Sequence, residues 1–190
     1  MARHRSFDTD AFLDQSLELF WKRGFAATSM ADISQATGLG SGSIYAFVED
    51  KDDLFRRVFE RYGSMFRASF QTSVEGADAL EQWMAWLANY LADDPDRKGC
   101  LIANTIMERF AHTPETLDLA EARVAEVREW FERQISLGQA AGVFRENVDP
   151  AAAASTLVAS VLGLMALARA RTPRETLQQV SWDAVRSLKE

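Results

Sequence analysis

Apolar residues recur along this chain at steps of three and four, the spacing of one helical face, and no run of β-branched residues alternates with polar ones. The pattern predicts about nine helices. In the first, over about 9–23, Leu13, Leu17 and Phe20 share a face with Leu19 and Trp21 beside it. Asp8 is its expected N-cap, Phe7 and Phe12 have the spacing of a hydrophobic staple, and Gly24 stands where a helix-ending residue belongs. Ser29 and Asp32 have capping-box spacing for a short helix through about Ala36. Thr37-Gly38-Leu39-Gly40 reads as a tight turn, with Gly38 taking the unusual backbone angle and Leu39 folding back to the core. Gly40 or Ser41 then caps a helix over about 42–47, and Asp50 starts another towards Phe70. Helices over about 79–92, 100–111, 114–141, 151–169 and 174–188 complete an all-α chain.

One of these helices, 151–169, is apolar almost throughout and about as long as a membrane span. Its alanines, with Ser155, Thr156, Ser160 and Gly163, make it weakly hydrophobic and suit close helix packing, so a buried helix at a subunit interface is expected there, and no membrane partner. Met1–Asp10 has no apolar run of the secretory kind, and a single cysteine, Cys100, rules out an internal disulfide framework and fits a cytoplasmic protein.

Three closely spaced short helices with a glycine in the second turn form a helix-turn-helix pattern, in which the last short helix offers small and polar side chains to base edges. Here those positions are Ser41, Gly42, Ser43, Tyr45 and Ala46. Ser43 can bond a base edge or a phosphate, Gly42 allows close backbone approach, and the Tyr45 hydroxyl can reach a phosphate. Thr28 and Ser29 stand at a helix N-terminus, where free N–H groups favour an anion. Charge pulls the other way. The net charge is −7, and the first 62 residues hold eight Lys/Arg against ten Asp/Glu. DNA binding must therefore come from locally placed cations: Arg3 and Arg5 on the leading arm, Lys22 and Arg23, and Lys51. Such a small footprint implies modest phosphate affinity and a shallow salt dependence.

The run Phe12-Leu13-Asp14-Gln15-Ser16-Leu17-Glu18-Leu19-Phe20, with Gly24-Phe25, Thr28-Ser29-Met30, Asp32-Ile33, Gly38-Leu39, Gly42-Ser43-Ile44-Tyr45 and Lys51-Asp52-Asp53-Leu54, resembles the DNA-binding module of the TetR family. The resemblance is dense over about the first 60 residues, and the helical remainder suits the family's sensor domain. It implies a DNA-binding domain over 1–49 and a ligand-binding and dimerisation domain over 50–190, linked by the helix at about 50–70. It also implies phosphate contacts from Thr28, Ser29 and Lys51, and DNA contacts from Ser43 and Tyr45. This chain departs from the family pattern at Ser41, where lysine is common, at Ala46, Phe47 and Val48, and at Glu49, where proline or glycine is common. These changes remove base-reading donors and a cation. The function implied is a one-component regulator, a repressor by family default, binding a palindromic double-stranded operator as a homodimer and released by a small-molecule effector.

Large polarizable side chains concentrate after residue 64 and make candidates for an effector cavity: Phe66, Trp83, Trp86, Met107, Phe110, Trp130 and Met165, with Cys100 and the polar Asn104 and Glu108. Arg109 and His112 are further polar candidates. Such a lining hints at a hydrophobic or electrophilic effector. Gly99-Cys100-Leu101-Ile102-Ala103-Asn104 resembles a segment in a subset of TetR proteins, some of which sense electrophiles or oxidants through a cysteine. Arg97, Lys98 and the helix N-terminus are expected to lower the Cys100 pKa. A homodimer is expected through 115–141 and 151–169.

Other classes remain open. Two histidines and one cysteine make a metal site improbable, and no nucleophile elbow or phosphate-binding glycine loop is present, so no catalytic residue and no cofactor are predicted. The alternative is a helical small-molecule or thiol-based sensor that has lost or weakened operator recognition.

Overall fold

The computed structural model describes residues 8–189, among which there are nine α-helices and no strand. Helix α1 spans Thr9–Arg23 and is capped by Asp8, whose carboxylate accepts from the amides of Asp10 and Ala11. Phe7, the other half of the expected staple, lies outside the described residues; Phe12 instead meets Phe47 edge-on at 5.9 Å. Helix α2 (Met30–Thr37) carries the full capping box, Ser29 with Asp32, and ends at left-handed Gly38. Leu39 is partly buried against the core, as the turn residues imply.

Helix α3 (Ser41–Tyr45) is shorter than expected. It begins on Gly40, whose carbonyl accepts from Ser43 and Ile44, and stops where Phe47 and Val48 turn inward. The apolar pair at 47–48 closes the head instead of prolonging the helix. Helix α4 (Lys51–Ala68) leaves from Asp50 as N-cap and buries Leu54, Phe55, Val58, Phe59 and Tyr62.

The larger part is a bundle of α5 (Gly76–Asp93), α6 (Leu101–Met107), α7 (Pro114–Ala140), α8 (Pro150–Arg169) and α9 (Arg174–Arg186). Helix α7 packs on α5, α6 and α8, and α9 lies against α5 and α8. Helix α5 starts at Gly76, earlier than the apolar pattern implies, because the Gly76 amide donates to Gln134 Oε1 on α7 at 2.7 Å. The helix expected over 100–111 is divided: α6 stops at Met107, and Arg109–Ala111 form a 3-10 turn. The divide falls at Glu108, whose carboxylate is engaged by the head.

Helix α8 is long and apolar enough to cross a membrane by length and composition. Within the protein it buries Ala153, Ala154, Leu157, Val161, Leu164, Met165 and Ala168 and turns Ala152, Ser155, Ala159, Gly163 and Ala166 outward. The outward face of α7 is instead charged, with Glu121, Arg128 and Glu129. One apolar core runs from Phe12 in the head to Leu188, so head and bundle are packed against each other.

Candidate nucleic-acid interface and sensor cavity

On α3, Ser41, Gly42, Ser43 and Tyr45 all face solvent, and Tyr45 is 53% exposed. Ile44 points the other way and is fully buried, so a single apolar anchor fixes which face of this short helix is presented. The expected contacts at the start of α2 separate. Ser29 is exposed, and its hydroxyl accepts from the Asp32 amide at 3.1 Å while the Ser29 amide donates to Asp32 at 2.8 Å. The Ser29 hydroxyl also donates to the Asp32 carboxylate, and this bond, followed by the one from the Ser29 amide, holds the Asp32 carboxyl below the usual carboxylate range. Thr28 does not present its hydroxyl: it is 1% exposed and donates to the Gly24 carbonyl at 2.7 Å. Its amide is used as well, donating to the Phe25 carbonyl at 3.2 Å, so Thr28 offers no free donor to a phosphate. Arg3 and Arg5 lie outside the described residues.

Among the described residues, cations of the head and of α4 are paired with carboxylates while staying partly exposed. Lys22 pairs with Asp96 at 2.7 Å, Arg23 with Asp32 at 3.2 Å, and Arg57 with Asp53 at 3.1 Å. Arg61 grips Asp14 through two nitrogens and Asp10 through a third, tying α1 to α4 and holding the Asp14 carboxyl low. Lys51, expected on phosphate, is half-buried; its ammonium donates to the Phe25 carbonyl at 3.1 Å and lies 4.0 Å from the Phe25 ring centre. Phosphate binding by Lys51 therefore competes with an existing bond.

That bond belongs to a junction the sequence did not reveal. Glu108, expected in the effector cavity, accepts from the Phe25 amide at 2.9 Å and reaches Ala26 at 3.5 Å. Gly24 makes room for it: a Cβ there would overlap the carboxylate, and the backbone has φ +87°. The His112 ring packs between Phe25 (4.5 Å) and Phe55 (4.8 Å), with neither nitrogen bonded. Burial pushes its pKa below the ordinary value, against the pull of Glu108 and Asp52 and with the push of Lys51. A second tie runs from α1 to the α5–α6 loop, where the Trp21 indole donates to the Gly99 carbonyl at 3.1 Å. Lys98 beside it bonds Glu18 at 2.9 Å.

Of the residues expected in one effector cavity, Phe66, Trp86, Cys100 and Met165 meet around a space of about 140 Å³ between α4, α5, α8 and the α5–α6 loop. Met65, one of the large side chains after residue 64, joins them, and Trp21, Tyr62 and Tyr90, which the sequence reading did not place there, complete the wall. Trp83 is buried behind it, stacked on Phe70 at 5.0 Å with its indole donating to Ser69. Trp130 lines a different, open cleft between α4 and α7 with Arg67, Arg123 and Arg133. Asn104, Met107 and Glu108 flank a groove on the far side of Met165, beside α8, and Asn104 is bonded to the Lys98 carbonyl. Arg109 is exposed, and Phe110 is wholly so. The corrections at Glu108, Arg109 and Phe110 follow from α6 ending at Met107, which hands these residues to the turn that follows.

Cys100 is also corrected. It is 3% exposed, and burial raises its pKa more than the helix amides and Tyr62 lower it. Arg97 is directed to the Leu91 carbonyl and Lys98 to Glu18, so neither cation of the preceding pair serves the thiol. A buried, protonated thiol is a poor nucleophile.

The chain matches the bacterial regulatory proteins of the tetR family over residues 12–58 and the tetracyclin repressor-like C-terminal domain over residues 76–181. It is 29% identical to the HTH-type transcriptional repressor ComR of Escherichia coli (strain K12), covering 97% of this chain and 90% of that protein. It is 27% identical to the HTH-type transcriptional repressor DhaR of Mycobacterium sp. (strain GP1), over 88% and 85% of the two chains. Among solved structures, a cysteine mutant of the TetR family regulator CifR, complexed with 26-bp double-strand operator DNA, superposes with a TM-score of 0.85 at 25% identity, over 98% of this chain and all of that one. A regulatory protein TetR from Rhodobacter sphaeroides has the same fold, with a TM-score of 0.86 at 19% identity.

Proposed function

Because the chain belongs to the TetR family of transcriptional regulators, we propose that it is a repressor that binds a palindromic operator as a homodimer and leaves it when a small molecule occupies the 140 Å³ cavity. The head comprises residues 1–49, the sensor and dimerisation domain residues 50–190, and α4 links them. The observation that carries this reading is the outward row Ser41, Gly42, Ser43 and Tyr45, held on a short helix by one buried anchor. Small side chains let the backbone of α3 sit deep in a major groove, and hydroxyls serve base edges and phosphates.

Two heads on a two-fold axis read half-sites about 34–36 Å apart, which a single short helix cannot do alone. The outward small-residue face of α8 supports it as the centre of the dimer seam, while α7 brings a charged face to the rim. The protein acts in the cytoplasm, on the chromosome.

Selection of bound duplexes from a random pool tests this reading directly. The expected result is a palindromic site whose affinity falls in Ser43→Ala and Tyr45→Phe and depends only shallowly on salt, since Lys22, Arg23 and Arg57 are already paired with carboxylates. A folded dimer that enriches no site at low salt would remove the repressor reading and leave a helical sensor without operator recognition.

A further inference from the structure

The geometry points to an uncharged, single-ring aromatic molecule with one small hydrogen-bonding substituent as the ligand of the cavity between α4 and α5, seated against Tyr62 and Cys100. This rests on the proposed function only for its regulatory consequence; the binding chemistry stands on the cavity itself.

Size comes first. The space is about 140 Å³, and an apolar protein cavity of roughly 150 Å³ is known to hold one benzene. Behind Phe66, Cys100 and Met165 lies a further 30 Å³ of space bordered by valines of α7 and α8 and by Arg123, whose charge is matched by Glu60 and Glu126, room for a substituent of one or two heavy atoms. Shape follows from the rings. Tyr62 stacks on Phe66 at 6.1 Å and meets Trp21 edge-on at 4.9 Å, while Trp86 stacks on Tyr90 at 5.2 Å. A planar guest extends this array through the same offset and edge contacts. Access is open: Met65, Trp86 and Tyr90 rim the space and are 59%, 40% and 42% exposed.

Charge is excluded on both sides. Among the described residues that line the cavity none is charged. An aromatic-rich wall could hold a cation, but the Lys98 ammonium already stands 4.6 Å over the Trp21 ring and repels a second positive charge there. An anion fares no better. Burial pushes both the Tyr62 phenol and the Cys100 thiol up, so the wall disfavours negative charge on its own groups. Tyr90 at the mouth is pushed up by burial and by the carboxylate of Asp94 as well. What remains for a guest is one hydrogen bond to the Tyr62–Cys100 pair, whose hydroxyl and thiol interact with each other in the empty protein. The Ser69 hydroxyl is already used, donating to the Phe66 carbonyl and accepting from Trp83. Trp21 supplies the route to the head, because it lines the cavity from α1 and donates to Gly99 of the sensor loop.

The test uses the full-length dimer with phenol, toluene, benzoate, phenyltrimethylammonium and 1-octanol as probes, titrated by calorimetry. Phenol is expected to bind best, about tenfold tighter than toluene for one added hydrogen bond and at least tenfold tighter than either charged ring. Tyr62→Phe should erase the preference for phenol over toluene, and Met65→Trp, a change at the exposed rim, should weaken every ring; circular dichroism checks that both variants fold. Tightest binding by benzoate, phenyltrimethylammonium or 1-octanol would overturn the inference, as would an unchanged phenol affinity in both variants. Operator release by a charged or aliphatic compound, with no aromatic binding, would sink this inference and leave the proposed function standing. Phenol binding in the cavity without operator release by any probe would uphold the ligand class and count against effector control.

Discussion

The outward face of α3 and the side of the head that meets the sensor domain put their polar groups to opposite uses. On α3 the polar groups are small, neutral and exposed: Ser41, Ser43 and the Tyr45 hydroxyl. At the junction they are charged, half-buried and committed: Glu108 to Phe25 and Ala26, Lys51 to the Phe25 carbonyl, Lys98 to Glu18. Among the described residues, Lys22, Arg23 and Lys51 are thus committed within the protein before any phosphate arrives. Such a regulator gains operator affinity from presenting two heads at the right separation, and a ligand that disturbs their seating removes that affinity without touching α3.

The largest effect that would break this contrast is expected at Phe55. Its ring meets Phe20 at 5.2 Å, Phe25 at 5.1 Å and His112 at 4.8 Å, from both sides of the junction. Phe55→Ala should cost about 3–5 kcal/mol of stability in urea unfolding, and a loss below 1 kcal/mol would show that the junction is not a shared core. Glu108→Ala comes next. It strands the Phe25 amide and should cost about 1–3 kcal/mol, read in the same unfolding experiment. It should also lower operator affinity although the residue lies away from α3. An unaltered affinity would mean that the head is held well enough without it. On the other side of the comparison, Ser43→Ala should leave stability within about 0.5 kcal/mol and weaken operator binding by about 1 kcal/mol per protomer, measured by fluorescence anisotropy. A larger stability loss would make α3 part of the packed core.

The smallest effect is the pH dependence carried by His112. Its folded pKa lies below the ordinary 6.5, so the unfolded chain takes up the proton first as pH falls. Its contribution to stability is complete above about pH 6.5 and shrinks as pH drops through the lower folded value. The melting temperature should fall less between about pH 7.5 and 5 in His112→Phe than in the natural sequence. Identical pH profiles in the two proteins would show that the ring is not buried in solution.

Local signals were enough to place the caps and turns of the head, although α3 ends at Tyr45 and not near residue 47. Asp8, the Ser29–Asp32 box and Gly38 act within a few positions of themselves, and each was found where its spacing implied. The cavity was harder because a void is shared among distant helices. Trp21 reads as an ordinary neighbour of an apolar face and Tyr62 carries no signal of its own, and only their meeting with Trp86 and Cys100 makes them a wall. Phe110 shows the opposite failure: a large apolar residue was taken for a pocket member, yet it sits fully exposed on the turn after α6. For Cys100, neighbours in sequence were poor guides to neighbours in space, because Arg97 and Lys98 are aimed at other partners.

Gly24 also limits the routes by which this sequence can drift. Two separate demands meet there, a backbone at φ +87° and the carboxylate of Glu108 filling the place of a side chain. Losing Glu108 first would clear the space but not the backbone demand, and replacing Gly24 first would violate both together. Changes at the two positions are therefore expected to be non-additive, and a descendant lineage that shed the carboxylate would still keep the glycine.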